Sequence, residues 1–222
     1  MKNFLPSICL YVLLGAGSLC AQLPVASGHS VFLDVQNKGS GGDVAGSLGG
    51  GVGAGGGGVT TAPVGTTYST DTESHGHSTK LAISIRNQDK TPIQVQVEWY
   101  FFAKQIQNNK VGKESVFDSG NKTITLQPAG NESFDITSKV TQTTTSRRYA
   151  TATSYDVTSG NNTTSTYSIG DDKRNGTKLT GWVVRILVDG KILDAKGSEF
   201  KFEDAAKSPD KFEQLKAGTY TE

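Results

Sequence analysis

From Thr79 onward, apolar and polar residues alternate with a period of two, the spacing that sends successive side chains to opposite faces of a sheet. Leu81, Ile83 and Ile85 take one side, and Ala82, Ser84 and Arg86 the other. After a polar turn over residues 87–92 the alternation resumes and lengthens. Ile93, Val95, Val97, Trp99, Phe101 and Ala103 form an apolar face opposite Gln94, Gln96, Glu98, Tyr100, Phe102 and Lys104. Six alternations predict a half-buried antiparallel strand. Further along, Phe117 and a turn over residues 118–121 lead to a strand over 122–126. Turn residues 127–131 then precede a second short strand holding Phe134 and Ile136.

Asp189-Gly190 lies between Leu187-Val188 and Lys191-Ile192, a two-residue hairpin signal whose central residues accept positive φ. A plain hairpin there predicts Val188 opposite Lys191, Ile186 opposite Leu193 and Arg185 opposite Asp194. Trp182, Val184, Ile186 and Leu193 then share an apolar face, with the charged pair on the wetter side. Ser208-Pro209-Asp210 predicts a helix start: a capping residue, a proline at the first helical position and an acid near the positive end. That short helix runs to about Ala217, before Gly218.

Upstream, Val31, Leu33 and Val35 mark a first strand, but residues 39–58 hold twelve glycines in twenty positions. Such a stretch loses much backbone entropy on ordering and has few side chains to bury, so it predicts a flexible linker. Gly53, Gly55 and Gly58 fit a dinucleotide fingerprint only by the chance any glycine tract offers, with no strand before them and no helix after. Residues 139–178 form a Thr- and Ser-rich insertion in which Thr151, Thr153 and Tyr155 alternate with Ala150, Ala152 and Ser154. It reads as an extended hairpin or as a mobile polar excursion.

The first 21 residues have the layout of an export signal: Lys2, an apolar run from Phe4 to Ala16, then small residues to Ala21. The apolar part is too short to span a bilayer. Cleavage falls after Ala21, or after Cys20 with Ser18 and Cys20 as the two small residues; taken after Ala21, it leaves residues 22–78 as a strand plus the glycine-rich segment, and residues 79–222 as the folded β domain. It also removes both cysteines, Cys9 and Cys20, and with them any disulfide. Lipid attachment at Cys20 is disfavoured because Leu19, not a small residue, precedes it. The chain has 22 Lys and Arg against 21 Asp and Glu, and losing Lys2 balances them. A balanced charge gives no field toward nucleic acid or acidic membranes.

The strand ending Ile85-Arg86-Asn87, the turn into residues 93–101, and Ile124-Thr125-Leu126-Gln127-Pro128 leading through Gly130 and Ser133 to Phe134 resemble exported bacterial immunoglobulin-like β-sandwiches, including cell-adhesion-related modules. The resemblance covers about half of the chain beyond the signal. Ala129 between Pro128 and Gly130, and the long insertion, depart from the common pattern. The resemblance implies an all-β antiparallel sandwich with binding, adhesion or spacing roles in the envelope or outside the cell, no conserved active site and no cofactor.

Candidate chemistry is sparse. Tyr100 and Phe102, on the face opposite Trp99 and Phe101, suggest an aromatic platform for a glycan or protein partner, unless the insertion or the C-terminal helix covers them. His75-Gly76-His77, with Asp71 and Glu73 nearby, suggests a metal site set against a solvated loop beside the glycine tract. Asp171, Asp172 and Asn175 lack any calcium-loop spacing. Glu98, Asp118, Glu132, Asp135 and Asp194 sit at outward or turn positions rather than forming a glycosidase pair. No Gly-x-Ser-x-Gly elbow or phosphate loop occurs. Asn121, Asn131, Asn161, Asn162 and Asn175 begin glycosylation sequons, which in a bacterial exporter would be chance matches in a Thr-rich chain.

Overall fold

The computed structural model describes residues 29–40, 46–47, 66–156 and 161–220. The described strands are β1 (Val31–Ser40), β2 (Gly46–Ser47), β3 (Thr66–His77), β4 (Thr79–Asn87), β5 (Ile93–Gln107), β6 (Lys110–Leu126), β7 (Asn131–Thr137), β8 (Thr141–Asp156), β9 (Asn161–Ser168), β10 (Lys173–Val188) and β11 (Lys191–Gly197). Two helices follow, α1 (Phe200–Lys207) and α2 (Pro209–Lys216). The strands form a three-stranded sheet in the order β1-β4-β7 and an eight-stranded sheet along β2-β3-β8-β10-β5-β6, with β9 on β8 and β11 on β10. All pairings are antiparallel.

The period-two residues do what their spacing predicts. Leu81, Ile83 and Ile85 of β4 share one buried cluster with Val95, Val97 and Phe101 of β5 and with Trp182, Val184 and Ile186 of β10. The small sheet therefore covers one face of the large one. Burying each such side chain contributes roughly 1.5–3 kcal/mol, so this cluster is a main source of stability. Asn87 closes one end: its side-chain amide donates to the carbonyls of Thr91 (2.9 Å) and Gln127 (3.0 Å), and its own amide oxygen accepts from the Asp89 N–H.

A second cluster lies on the opposite face of the large sheet. Phe102, Val183 and Ala195 pack there against Phe202, Ala205 and Ala206 of α1 and Phe212 and Leu215 of α2. Helix α2 starts and stops where Ser208-Pro209 and Gly218 predict, with Gly218 at φ +68°. Helix α1 is not among the sequence expectations, although Phe202, Ala205 and Ala206 carry the helical three-and-four spacing. Gly181 shows how closely α1 approaches: a Cβ there would collide with the Phe202 ring.

Three local expectations are corrected. Residues 118–121 are not a turn, because β6 runs unbroken and absorbs a register shift opposite Phe101 and Phe102. The sharp turn of that hairpin falls at Asn108 and Asn109, both at positive φ (48° and 66°), a conformation asparagine tolerates. The Asp189-Gly190 hairpin keeps Val188 opposite Lys191, but a bulge between Ile186 and Leu187 then sets Ile186 opposite Asp194 and Arg185 opposite Ala195. The third correction is β3, a twelve-residue strand where no apolar alternation signals one. Most of residues 39–58, and the signal segment 1–21, lie outside the described residues. Within the tract, Gly46 and Ser47 pair with Ser74 and Glu73 of β3.

Candidate binding surface

Tyr100 and Phe102 project from β5 on the face predicted for them, and the helices cover that face. Phe102 is fully buried, its ring 5.2 Å from that of Phe202. Tyr100 is half-buried, edge-on to Phe212 at 4.9 Å, and its hydroxyl donates to Glu98 at 3.2 Å. The pair is therefore a packing surface for α1 and α2 and not an open platform. The covering layer that the sequence leaves as the alternative is the one present.

Arg185 belongs to the same contact. A register opposite Asp194 on the wetter side is replaced by a buried position opposite Glu98 of β5, whose carboxylate accepts a hydrogen bond from the Arg185 guanidinium. The guanidinium lies 3.9 Å from the centre of the Phe212 ring, a cation–π contact largely shielded from water. Desolvation, and secondarily the Glu98 charge, pushes the Tyr100 phenol above its ordinary pKa. This cluster ties α2 to the sheet.

His75 and His77 lie on β3, not in a loop, with Gly76 buried between them. Their strand partners are Thr143 and Thr141, and His75 Nε2 is 2.9 Å from Glu73. Arg147 also approaches Glu73 (3.8 Å) while bonding Asp172 at 3.0 Å, so a cation already faces those acids. Among the described residues no three His, Cys, Asp or Glu side chains converge as metal ligands. Asp172 and Asn175 serve the strand ends: Asn109 donates to the Asp172 carbonyl at 2.7 Å, and the Asn108 N–H donates to the Asn175 side chain at 2.8 Å. Two other acids meet lysines. Asp135 sits between Lys38 and Lys80, whose charges and hydrogen bonds, Lys80 foremost, lower its pKa, and Asp118 holds Lys139.

What stands out instead is an arm built from the Thr-rich insertion and β3. β8 and β9 form the extended hairpin, over eight pairs from Tyr149–Ser168 to Asp156–Asn161. β3 joins the other edge of β8 over twelve pairs, whereas β8 meets β10 over only four. Every residue of β9 and the first six of β3 are exposed. Hydroxyls bridge the strands, Thr151 to Thr166 at 3.0 Å and Thr153 to Thr164 at 3.4 Å. On the opposite face Tyr68 pairs with Ala150, which pairs with Tyr167. The two tyrosines are 59% and 51% exposed, while Ala150 between them is 1% exposed.

Elsewhere a groove of about 330 Å³ runs between the β10–β11 turn and α2, lined by Arg185, Leu187, Lys191, Ile192, Lys207 and Glu213. Among the described residues no helix is long and apolar enough to cross a membrane. No protein-family model and no curated protein matches the chain. Among solved structures it is similar to the X-ray structure of Northeast Structural Genomics Consortium target SoR45, at 13% identity over 66% of this chain and 85% of that one, with a TM-score of 0.22.

Proposed function

We propose that the chain is an exported, non-enzymatic binding protein of the cell envelope or extracellular space. In this reading the two facing sheets are an immunoglobulin-like β-sandwich and the β3–β8–β9 arm is the surface that meets the partner. The arm is the observation that carries the reading. It keeps three strands in register yet buries little apolar surface, so it contributes little of the hydrophobic stabilisation that holds the core. An ordered element so weakly tied to stability is well suited to presenting side chains. The export layout of residues 1–21 supports the location.

The test compares the intact chain with a variant in which Tyr149 and Ser168, already register partners, are joined by an Asn-Gly turn. Intact protein is expected to sediment with envelope preparations of the expressing cells, and the shortened variant to remain in solution although both melt at similar temperatures. Equal sedimentation of the two sinks the arm reading. Mass spectrometry of the native protein should find Gln22 or Ala21 at the amino terminus, and an intact Met1–Ala21 segment on the cellular protein would overturn export.

A further inference from the structure

Resting on the reading of the arm as the working surface, we propose that β9 joins the arm edge to edge to a second copy of this chain. β9 lies outermost: it pairs with β8 through eight consecutive positions without a bulge, and among the described residues no strand meets its other edge. In an antiparallel ladder alternate residues turn their N–H and C=O groups outward, so a row of donors and acceptors faces solvent along Asn161–Ser168. Such an edge is a template for another strand unless charge, proline or a bulge blocks it. The other long edge strands carry those blocks: Lys38 on β1, Asp71 on β3, Lys122 on β6, Asp135 on β7 and Lys196 on β11, with shifted registers at β6 and β11. β9 holds only Asn, Thr, Ser and Tyr.

Charge and symmetry select the occupant. An antiparallel ladder admits a twofold axis, so β9 can pair with itself, and the alternating backbone orientation puts that axis at Thr164 or at Ser165. Either register sets only uncharged residues opposite one another, so the two copies meet without like-charge repulsion. A charged foreign strand would find no counter-charge on β9. With the axis at Ser165, Thr164 of each copy faces Thr166 of the other. That is the kind of hydroxyl pair β9 already makes with β8, at Thr151–Thr166 and Thr153–Thr164. The two arms become one continuous sheet. Its faces stay free for an envelope partner, which two linked arms hold with greater avidity than one.

Sedimentation equilibrium of the purified chain tests the pairing, with circular dichroism melts confirming each fold. The apparent mass should rise with concentration toward about twice that of one chain. Thr163→Lys with Ser165→Lys sets lysine opposite lysine in either register and keeps the Thr151–Thr166 and Thr153–Thr164 bridges. It should weaken dimerisation at least about tenfold. Thr163→Glu with Ser165→Glu should do the same, and an equal mixture of the two variants should recover a dimer, because opposite charges then face across the axis. The arm-shortened variant, which lacks β9, should stay monomeric. A monomeric wild type, a lysine or shortened variant that dimerises as well as wild type, or a mixture that stays monomeric overturns the pairing. Envelope sedimentation separates the two readings. If the wild type is monomeric yet sediments where the shortened variant does not, the arm stands and the pairing falls. If the wild type dimerises through β9 but both sediment equally, the pairing stands and the envelope role of the arm falls.

Discussion

The two ends of β10 meet different surroundings. From Trp182 to Ile186 every residue is buried, odd positions against α1 and α2 and even positions against the three-stranded sheet. From Lys173 to Thr180 none is buried, and the neighbour across part of that length is β8 of the arm. One strand thus passes from a doubly covered core to a more open, mostly polar stretch in which Leu179 still packs against the core. The backbone ladder continues through both regions, so hydrogen bonding does not distinguish them. Apolar covering does, and it decides where side chains carry stability and where they are available for recognition.

Phe102→Ala should separate the two ends most sharply, lowering stability by about 3–5 kcal/mol in urea titrations, as deletion of a fully buried aromatic does. A loss under about 1 kcal/mol would mean that α1 and α2 do not pack on the sheet in solution. Next in size, Arg185→Ala should cost about 3 kcal/mol because it strands the Glu98 carboxylate in a shielded contact. Combining Arg185→Met with Glu98→Gln should recover most of that loss. If the double change is as unstable as Arg185→Ala alone, the cost lies in packing on Phe212 rather than in the unpaired charge.

On the arm, Thr151→Ala removes one hydroxyl bridge to Thr166 on a solvated face and should shift stability by no more than about 0.5 kcal/mol. A change several times larger in the same titration would show that the arm is part of the cooperative core. The smallest effect concerns pH. Hydrogen bonds from Lys211 and then Tyr220 hold the Asp204 carboxyl below its ordinary pKa. A pKa depressed by folding gives a contribution present above the unfolded value of about 3.9 and lost as pH falls through the folded value. Asp204→Asn should therefore flatten slightly the acid limb of melting temperature against pH and leave the neutral region nearly unchanged. An altered slope between pH 6 and 8, or none below about pH 4, would contradict this assignment.

Much of the core was legible because alternation is a local record of burial. Leu81, Ile83, Ile85, Val95 and Val97 reveal both their strands and their inward faces. The candidate site was less legible. Tyr100 and Phe102 do leave the main core, but whether an outward ring meets water depends on elements a hundred residues or more later, through Phe202 and Phe212. Tyr68 and Tyr167 gave no periodic signal, because their strands are polar on both faces. Their relation exists only through Ala150 in the register of β8. Asn108-Asn109 is a signal that turn chemistry could have supplied.

The sequence by itself determined the β class, the inward faces of β4, β5 and β10, the turn at Asp189-Gly190 and the start of α2. Each follows from steric and solvation preferences acting within a few residues. Tertiary structure alone decided the bulge that moves Arg185 from Asp194 to Ala195, the covering of Phe102, and the recruitment of β3 beside β8. The physical reason is that backbone N–H and C=O groups are chemically alike at almost every position. Where apolar side chains do not choose a partner, the pairing of polar strands is set by what the rest of the fold brings alongside.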